Sequence, residues 1–380
     1  MKKTLVALAA IAAVTGAMAD AKLSGVVDQA AVSIGLTSAA GAKTTTKSFG
    51  EDLNGFSELG VSGSEDLGNG LTATYGINLA LNISSATNNS FIYNGSGVGL
   101  KGPFGAVSIG TNYNLNFFTN AMSDPTGFGL NAGQLNSSAG GLKSNLLSYT
   151  APQFVPGLSL AAEIQRGEAS ASTAGNLTGY MAQYDNGGLM VRYSNSSKTE
   201  VANVVTTTTS TVGTTAVTTS TFTSSNQLTG TSIGGTATAL AARTALDKTK
   251  STAVTVTYDF GMAKVFYGAS TIKSGTTVAQ VKTSTTGISV PFGAIGLGYS
   301  VSSEKGTSDG TGRLTATNAV NTLVSGNTVE SSASRLFATY SLSKRTTAYA
   351  MSGKASVDTI AGASSTLKTT VTSVGIKHGF

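Results

Sequence analysis

The sequence predicts an all-β protein, a transmembrane antiparallel β-barrel of about sixteen strands. Three observations predict it. Apolar and polar residues alternate along many segments, the connections between these segments alternate between short and long, and only 11% of the 380 residues are charged. An average soluble domain carries about 25% charged residues. The low charge therefore favours a sheet with one face on lipid and the other lined by hydroxyl and amide groups.

The first residues are typical of an export signal. Lys2 and Lys3 form a short positive segment, residues 4–16 are almost all apolar, and Ala17 and Ala19 are small residues at the positions that a signal peptidase reads. The apolar run is shorter than the roughly 20 residues that a transmembrane helix needs. We therefore expect cleavage after Ala19, a signal peptide over 1–19 and a barrel formed by 20–380.

The alternation has the two-residue period of a β-strand. In 71–83 and 295–302 the odd-numbered residues are mostly apolar or aromatic, and in 254–260 the even-numbered ones are, while their neighbours are mostly polar or small. A strand that crosses a bilayer at a tilt needs about 9–11 residues, which segments such as 71–83 provide. These segments predict strands with one face on lipid and one face on water.

Short turns and long polar connections alternate between the predicted strands. The long stretches are 37–55, 113–142, 196–250, 303–332 and 355–367. The Thr/Ser-rich segment 196–250 predicts a long external loop, or alternatively a hairpin of its own above the barrel. Seven short turns, with a first and a last strand added, give about sixteen strands. They lie at Gly68-Asn69-Gly70, Pro103-Phe104-Gly105, Pro156-Gly157, Asn186-Gly187-Gly188, Gly261-Met262, Phe292-Gly293 and Lys344-Arg345.

Several function classes are disfavoured by composition. The chain has no cysteine and one histidine, His378, so neither a thiolate metal site nor a Ser–His or metal-dependent hydrolase is expected. We expect no cofactor, no metal and no enzymatic activity. The net charge of +6 is not gathered into a basic stripe, which argues against a nucleic acid partner. A β-solenoid adhesin would need a fixed sequence period, and none is visible.

Four segments resemble one known family. They are KLSGVVDQAA at 22–31, SEDLGNGL at 64–71, VGLKGPFGAVSIG at 98–110 and VGIKHGF at 374–380. The chain resembles the general porins of beta-proteobacteria, a trimeric sixteen-stranded group that includes the neisserial porins. The resemblance implies a homotrimer in the outer-membrane lipid of a Gram-negative bacterium, passing ions and small hydrophilic solutes by diffusion. A substrate-specific channel is the alternative, with Phe117-Phe118 as its compact aromatic candidate.

The resemblance also implies that the segment 113–142 folds into the barrel and narrows it. Asp124 then stands where the family carries an acid followed by proline. An acid facing basic residues on the wall creates a transverse field that biases ion traffic. Alternatively, Asp124 simply begins a turn with Pro125. The wall departs from the family pattern, because arginines expected at Glu58, at Thr111 and near Asn94 or Ser96 are missing.

The last strand carries a signal of its own. Val374, Ile376, His378 and Phe380 share the lipid face, and a terminal aromatic residue resembles the signal read by the barrel assembly machinery.

Strand parity adds six charged candidates for the lumen. Their charges nearly balance in sign, so the selectivity of relatives does not simply transfer. Each of them could instead line a wide vestibule. They are Glu58, Lys101, Glu163, Arg192, Asp259 and Arg335.

Overall fold

A computed structural model describes residues 21–37, 41–51, 54–81 and 83, 92–126, 142–167, 175–199, 204–212, 215–223, 248–274, 279–307, 328–357 and 367–380. The predicted signal peptide lies outside these residues. Within them, no helix is long and apolar enough to cross a membrane.

The described residues form nineteen strands and one short helix. The strands are β1 Lys22–Thr37, β2 Lys43–Glu51, β3 Glu58–Gly68, β4 Leu71–Ala80, β5 Ile92–Gly102, β6 Gly105–Tyr113, β7 Leu142–Thr150, β8 Leu158–Gln165, β9 Leu177–Asn186, β10 Leu189–Thr199, β11 Val204–Val212, β12 Thr215–Thr223, β13 Lys248–Asp259, β14 Lys264–Ser274, β15 Ala279–Phe292, β16 Ile295–Thr307, β17 Thr328–Ser341, β18 Thr346–Val357 and β19 Leu367–Gly379. The helix, α1, is Leu115–Ala121.

Seventeen of these strands form one closed antiparallel sheet. On one side β1 pairs with β19. On its other side it pairs with β3 over Lys22–Val26 and with β2 over Gln29–Thr37. Because β2 and β3 occupy successive parts of the same position, the described wall has sixteen strand positions. The predicted fold class is confirmed.

The interruption between β2 and β3 is held by side chains on the inner side of the wall. Asp28, on β1, accepts a hydrogen bond from the backbone N–H of Asn54 (2.5 Å) and another from the Tyr349 hydroxyl (2.5 Å). Lys377 donates to the Asn54 carbonyl at 2.7 Å. The N–H and C=O of Asn54 have no partner in the strand ladder, and the side chains of Asp28 and Lys377 bind them instead. Asp28 is fully buried.

All seven predicted short turns join consecutive strands of the barrel. The turn between β9 and β10 shows why its glycines are needed. Gly187 and Gly188 have φ angles of 55° and 91°, which favour glycine. A Cβ on Gly188 would also lie 2.6 Å from the Asp259 carbonyl oxygen.

The predicted long connections differ from the structure in several places. The stretch 37–55 contains β2, and β16 to β19 extend into 303–332 and 355–367. Within 196–250, β11 and β12 form a separate antiparallel hairpin, which is the alternative that the sequence left open, and 224–247 lies outside the described residues. These segments carry polar residues on both faces, and the prediction recognised a strand by its apolar face. Apart from that hairpin, they were therefore not predicted as strands. The helix α1 was not predicted at all.

The two faces of the wall differ as the alternation predicts. On β16, Leu297, Tyr299 and Val301 are 44–46% exposed on the outer face, whereas Ser300 and Ser302 are buried on the inner face. The inner face is the one on which α1 packs. Between β17 and β1 it carries an apolar cluster of Ala30, Val32, Phe337, Tyr349, Met351 and Val371.

Candidate pore constriction

The chain leaves the wall after β6 and forms α1 inside the barrel. Asn114 caps the helix, and its side-chain oxygen accepts a hydrogen bond from the Phe117 N–H at 2.9 Å. The Leu115 N–H donates to the two carboxylate oxygens of Glu163 on β8, at 3.0 and 3.2 Å. Glu163 therefore satisfies an N–H group that the first helical turn leaves without a partner.

Polar side chains attach α1 to β10 and β13. The Asn116 amide donates to the Ser196 hydroxyl and to the Ser251 carbonyl, both at 3.0 Å. Arg192 donates through Nε to the Thr119 hydroxyl at 3.0 Å. The Thr119 carbonyl in turn accepts from the Thr255 hydroxyl. Because these groups are buried, each bond removed would leave a desolvated polar atom, which costs more than an exposed bond.

An ion pair fixes the end of the described loop. The Arg335 guanidinium on β17 donates to Asp124 Oδ1, and the two side chains are 0% and 2% exposed. Thr126 donates to the same oxygen through its N–H (2.9 Å) and its hydroxyl (2.8 Å). Burial raises the pKa of Asp124, and the positive charge of Arg335 opposes that rise. Either charge would be strongly destabilising in this position without the other.

Glycines on the wall make room for the residues around Asp124. Ser123 lies against Gly268 on β14, and Pro125 lies against Gly287 on β15. A Cβ on Gly287 would lie 2.7 Å from Pro125 Cγ, closer than real side-chain contacts come. The loop therefore approaches the wall at positions where the wall has no side chain. We name Asp124, Arg335 and these two glycine contacts the loop clamp.

An aromatic cluster lies where the loop leaves the wall. Tyr113 stacks on Phe117 with ring centroids 4.1 Å apart, and Phe118 meets Tyr113 edge-on at 6.3 Å. Phe56, next to the interruption between β2 and β3, stacks on Tyr113 at 6.4 Å. The Phe117-Phe118 pair thus packs against Tyr113 at the end of β6.

The structure brings together three of the six charged residues that strand parity placed in the lumen. Glu163, Arg192 and Arg335 contact the loop 115–126, with Arg335 on Asp124 itself. The register puts Glu58 opposite Val26, on the inner face, beside the interrupted strand.

The remaining two lie near the short turns. Lys101 pairs with Thr72, and Asp259 accepts the Gly261 N–H of its own turn at 2.7 Å. Of the positions that depart from the family pattern, Ser96 and Thr111 face each other across β5 and β6. The side chain of Asn94 lies outside the described residues.

The sequence interpretation missed the uncharged residues that hold the loop. Asn114 before an extended polar loop is a capping signal that was available, but a seven-residue helix is too short to show a helical period. The partners on the wall come from strands far away in sequence. They are Asn116, Thr119, Ser196, Ser251 and Thr255.

A closed barrel with an apolar outer face and a loop clamped inside defines a transmembrane channel protein. The family model described as Gram-negative porin matches residues 7–359. The chain belongs to this family of outer-membrane proteins.

Curated relatives and solved structures agree with this assignment. The chain is 28% identical over 218 residues to the major outer membrane protein P.IB of Neisseria gonorrhoeae, covering 52% of this chain and 60% of that protein. It is 31% identical over 206 residues to the outer membrane porin protein 32 of Delftia acidovorans, covering 50% and 58%. The chain thus spans less than two thirds of the curated relatives it matches.

The structural matches cover nearly the whole chain. The anion-selective porin from Comamonas acidovorans matches with a TM-score of 0.64 and 19% identity, over 95% of this chain and 100% of that one. The OmpF of Salmonella typhi, in complex with daunomycin, matches with a TM-score of 0.60 and 15% identity, over 95% and 98%. At these identities the likeness shows the shared barrel fold.

The loop clamp predicts an unequal response to two ion-pair mutations. Arg335→Ala leaves the buried Asp124 charge without a partner, and we expect it to lower the free energy of unfolding by about 3–5 kcal/mol. The exposed pair of Lys305 and Glu330 (61% and 50% exposed) is the control. Glu330→Gln should cost less than about 1 kcal/mol. Urea unfolding in detergent micelles measures both.

A double mutant separates the ion pair from general damage to the barrel. Asp124→Asn combined with Arg335→Ala removes both charges. We expect the double mutant to lose clearly less free energy of unfolding than the sum of the losses in the two single mutants. Additive losses would contradict the clamp, as would an Arg335→Ala effect no larger than that of Glu330→Gln.

Proposed function

We propose that the protein is a water-filled diffusion channel of the outer membrane for ions and small hydrophilic solutes. The observation that carries the proposal is the loop that polar side chains fix inside a closed barrel. The wall facing this loop is lined by hydroxyl groups, which favour hydrated solutes over apolar ones. On β13 to β16 these residues include Thr255, Thr257, Ser270, Thr283, Thr285, Ser300 and Ser302.

A catalytic role finds no support in the inner wall. The single histidine, His378, lies on the outer face of β19, and its Nδ1 lies 2.9 Å from the Thr346 hydroxyl oxygen. Members of the porin family are channels. We therefore propose a channel without enzymatic activity.

We propose that selectivity depends on charges of both signs around the constriction. The Comamonas relative is an anion-selective porin, but here Glu58 stands on the inner face where the resemblance implies an arginine. Asp124 and Arg335 form a neutral pair as long as both charges are present. Changing one partner leaves a net charge beside the loop, where the lumen is narrowed, and the field of that charge acts on passing ions.

Reversal potentials in planar bilayers under a salt gradient test this proposal. Asp124→Asn should shift the potential toward anion selectivity, and Arg335→Gln should shift it toward cation selectivity. The double mutant should return close to wild type. The shifts should be largest at low salt, since the Debye length is about 30 Å at 0.01 M and about 10 Å at 0.1 M.

The matched control is Asp66→Asn. Asp66 lies near the end of β3, beside the short turn to β4, and accepts the Gly68 N–H, a role that asparagine can keep. Equal reversal potentials for wild type, Asp124→Asn and Arg335→Gln would place the ion pair outside the constriction. A chain that inserts into bilayers without forming conducting channels would overturn the diffusion channel itself.

We propose further that three barrels pack through the outer face of β17, β18, β19 and β1. Small outward residues follow one another there, with Ala338 opposite Ala350 and Val374 opposite Ala31. They line a shallow groove bordered by Phe49 and Leu336. Small side chains let two sheets approach closely. The OmpT of Vibrio cholerae, which shares the fold at a TM-score of 0.58, has a trimer form.

Two outward arginine substitutions test this packing surface. Ala350 on β18 and Ala162 on β8 are both small, exposed and outward-facing. Each is the fifth residue of a strand that follows a short turn, so an arginine at either position lies at a similar depth and carries a similar penalty on the lipid face, up to about 2–4 kcal/mol at the bilayer midplane. Ala350→Arg should convert the unheated oligomer into monomers on detergent gels, while Ala162→Arg should keep the oligomer. Oligomers of equal stability in both variants would exclude this surface.

We propose that Phe380 is the residue read by the barrel assembly machinery, and that 1–19 directs export. Phe380 exchanges two backbone hydrogen bonds with Gly25, at 3.0 and 3.1 Å. Its ring covers Gly25 on the outer face. The residue therefore contributes both a ladder position at the closure of the barrel and an aromatic side chain.

Two variants separate these contributions. Phe380→Ala keeps the backbone bonds and loses the ring, whereas deletion of Phe380 loses both. If the ring is the signal, both variants should lower the assembled protein in the outer membrane severalfold while synthesis is unchanged. Phe380→Tyr, which keeps an aromatic ring, is the control. Wild-type levels of Phe380→Ala in heat-modifiable form would exclude the ring as a signal.

A further inference from the structure

Four lysines form a continuous patch on the outer face of β13 to β16. Lys250 on β13 stands directly opposite Lys273 on β14, and Lys282 on β15 stands directly opposite Lys305 on β16. Lys282 is also diagonal to Lys273, whose direct partner on β15 is Gln280. We name these four residues the lysine belt. All four are exposed.

Their outward orientation follows from the register. On β13 the odd-numbered residues face α1, as the contacts of Ser251 and Thr255 show. Lys250 therefore points to the outside, and direct cross-strand pairing carries the same orientation from strand to strand. Directly opposite residues lie about 5 Å apart at Cβ, and neighbouring strands are about 4.8 Å apart. The belt is thus a compact patch about four strands wide.

The arrangement is electrostatically unfavourable for the protein alone. Like charges directly opposite each other in an antiparallel pair are destabilising. On the described outer face of β13 to β17, Glu330 is the one acid, and it pairs with Lys305 at 2.5 Å. Within the described part of the chain, Lys250, Lys273 and Lys282 make no ion pair. The pairs Lys250–Lys273 and Lys282–Lys305 lie side by side on neighbouring strands. Their repulsion therefore points to an anion that comes from outside the chain.

The belt lies at one edge of the apolar outer face. Below it, towards the short turns, the same faces carry Val256 and Tyr258 on β13, Tyr267 on β14 and Tyr299 on β16. The belt is at the opposite end of the strands from the short turns. In outer-membrane barrels the short turns are periplasmic and the long loops extracellular. The lysines therefore lie at the level of the headgroups of the outer leaflet.

We propose that the lysine belt binds the phosphate groups of a phosphorylated anionic lipid in the outer leaflet. Lysine ammonium groups bind phosphate as point charges, and clustered lysines beside a membrane-spanning segment attract anionic lipid headgroups. The apolar side chains below the belt provide a surface for the acyl chains of the same molecule. This combination selects a lipid over a free anion, because soluble phosphate gains nothing from the apolar face.

Lipid binding to purified, folded porin tests the proposal. The probes are phosphatidylcholine nanodiscs containing diphosphorylated lipid A, the same nanodiscs with lipid A stripped of phosphate, and inorganic phosphate alone. Native mass spectrometry after release into detergent counts lipid A per barrel. The variant Lys250→Gln/Lys273→Gln/Lys282→Gln should bind diphosphorylated lipid A about 100-fold more weakly than wild type, since each lysine near an anionic surface contributes roughly fivefold.

Two further variants control for charge and folding. Lys22→Gln/Lys344→Gln/Arg345→Gln removes three positive charges at the short-turn end and should bind lipid A like wild type. Lys250→Arg/Lys273→Arg/Lys282→Arg keeps the charges and should also retain binding. Heat-modifiable migration verifies that each barrel is folded before it is titrated.

Three outcomes would overturn the proposal. The first is equal affinity of wild type and the belt variant for diphosphorylated lipid A. The second is equal affinity of wild type for lipid A with and without phosphate. The third is full displacement of lipid A by inorganic phosphate at matched concentration, which would assign the belt to a free anion. The test rests on the outer-membrane location and is independent of conductance, so failure of the proposed channel function would leave it intact.

Discussion

The need to satisfy backbone hydrogen bonds within the chain controls the architecture of this protein. Lipid offers no partners for exposed N–H and C=O groups, so a sheet in the membrane must close on itself. Pairing of β1 with β19 achieves this closure, and Gly25 and Phe380 extend the ladder to the end of the chain. Even the interruption between β2 and β3 obeys the constraint, because Asp28 and Lys377 bind both backbone groups of Asn54.

Closure creates an interior that is isolated from lipid, and this permits the polar attachment of the loop. Inside the barrel, amide, hydroxyl and guanidinium groups attach α1 to β10 and β13, while Phe117 stacks on Tyr113 where the loop leaves the wall. Such bonds are directional, and buried groups that lose a partner are costly, so a polar attachment fixes the loop in one place. The buried pair of Asp124 and Arg335 adds the strongest of these constraints and leaves no net charge of its own. Position and electrostatics of the loop therefore depend on the same two side chains.

The outer face of the same strands is divided into regions with different physical character. Large apolar and aromatic residues such as Tyr267 and Tyr299 suit contact with acyl chains. Small residues around Ala338 and Ala350 suit contact with another barrel. Above the apolar zone, lysines on β13 to β16 face outward in like-charged pairs. Since the outward positions recur at every second residue, each strand can contribute to these regions without changing the lining of the lumen.

The barrel could be predicted from alternation alone, because lipid on one face and water on the other impose a two-residue period that is visible within each segment. The seven turns were equally accessible, since glycine and proline mark tight turns through their own backbone preferences. Parity also indicated that Glu163, Arg192 and Arg335 face inward. Which of the inward residues meet could not be predicted, since closure of the barrel brings Asp124 beside Arg335, more than two hundred positions away in the sequence. The lysine belt likewise exists only through cross-strand register, a relation between distant segments that alternation within one strand does not contain.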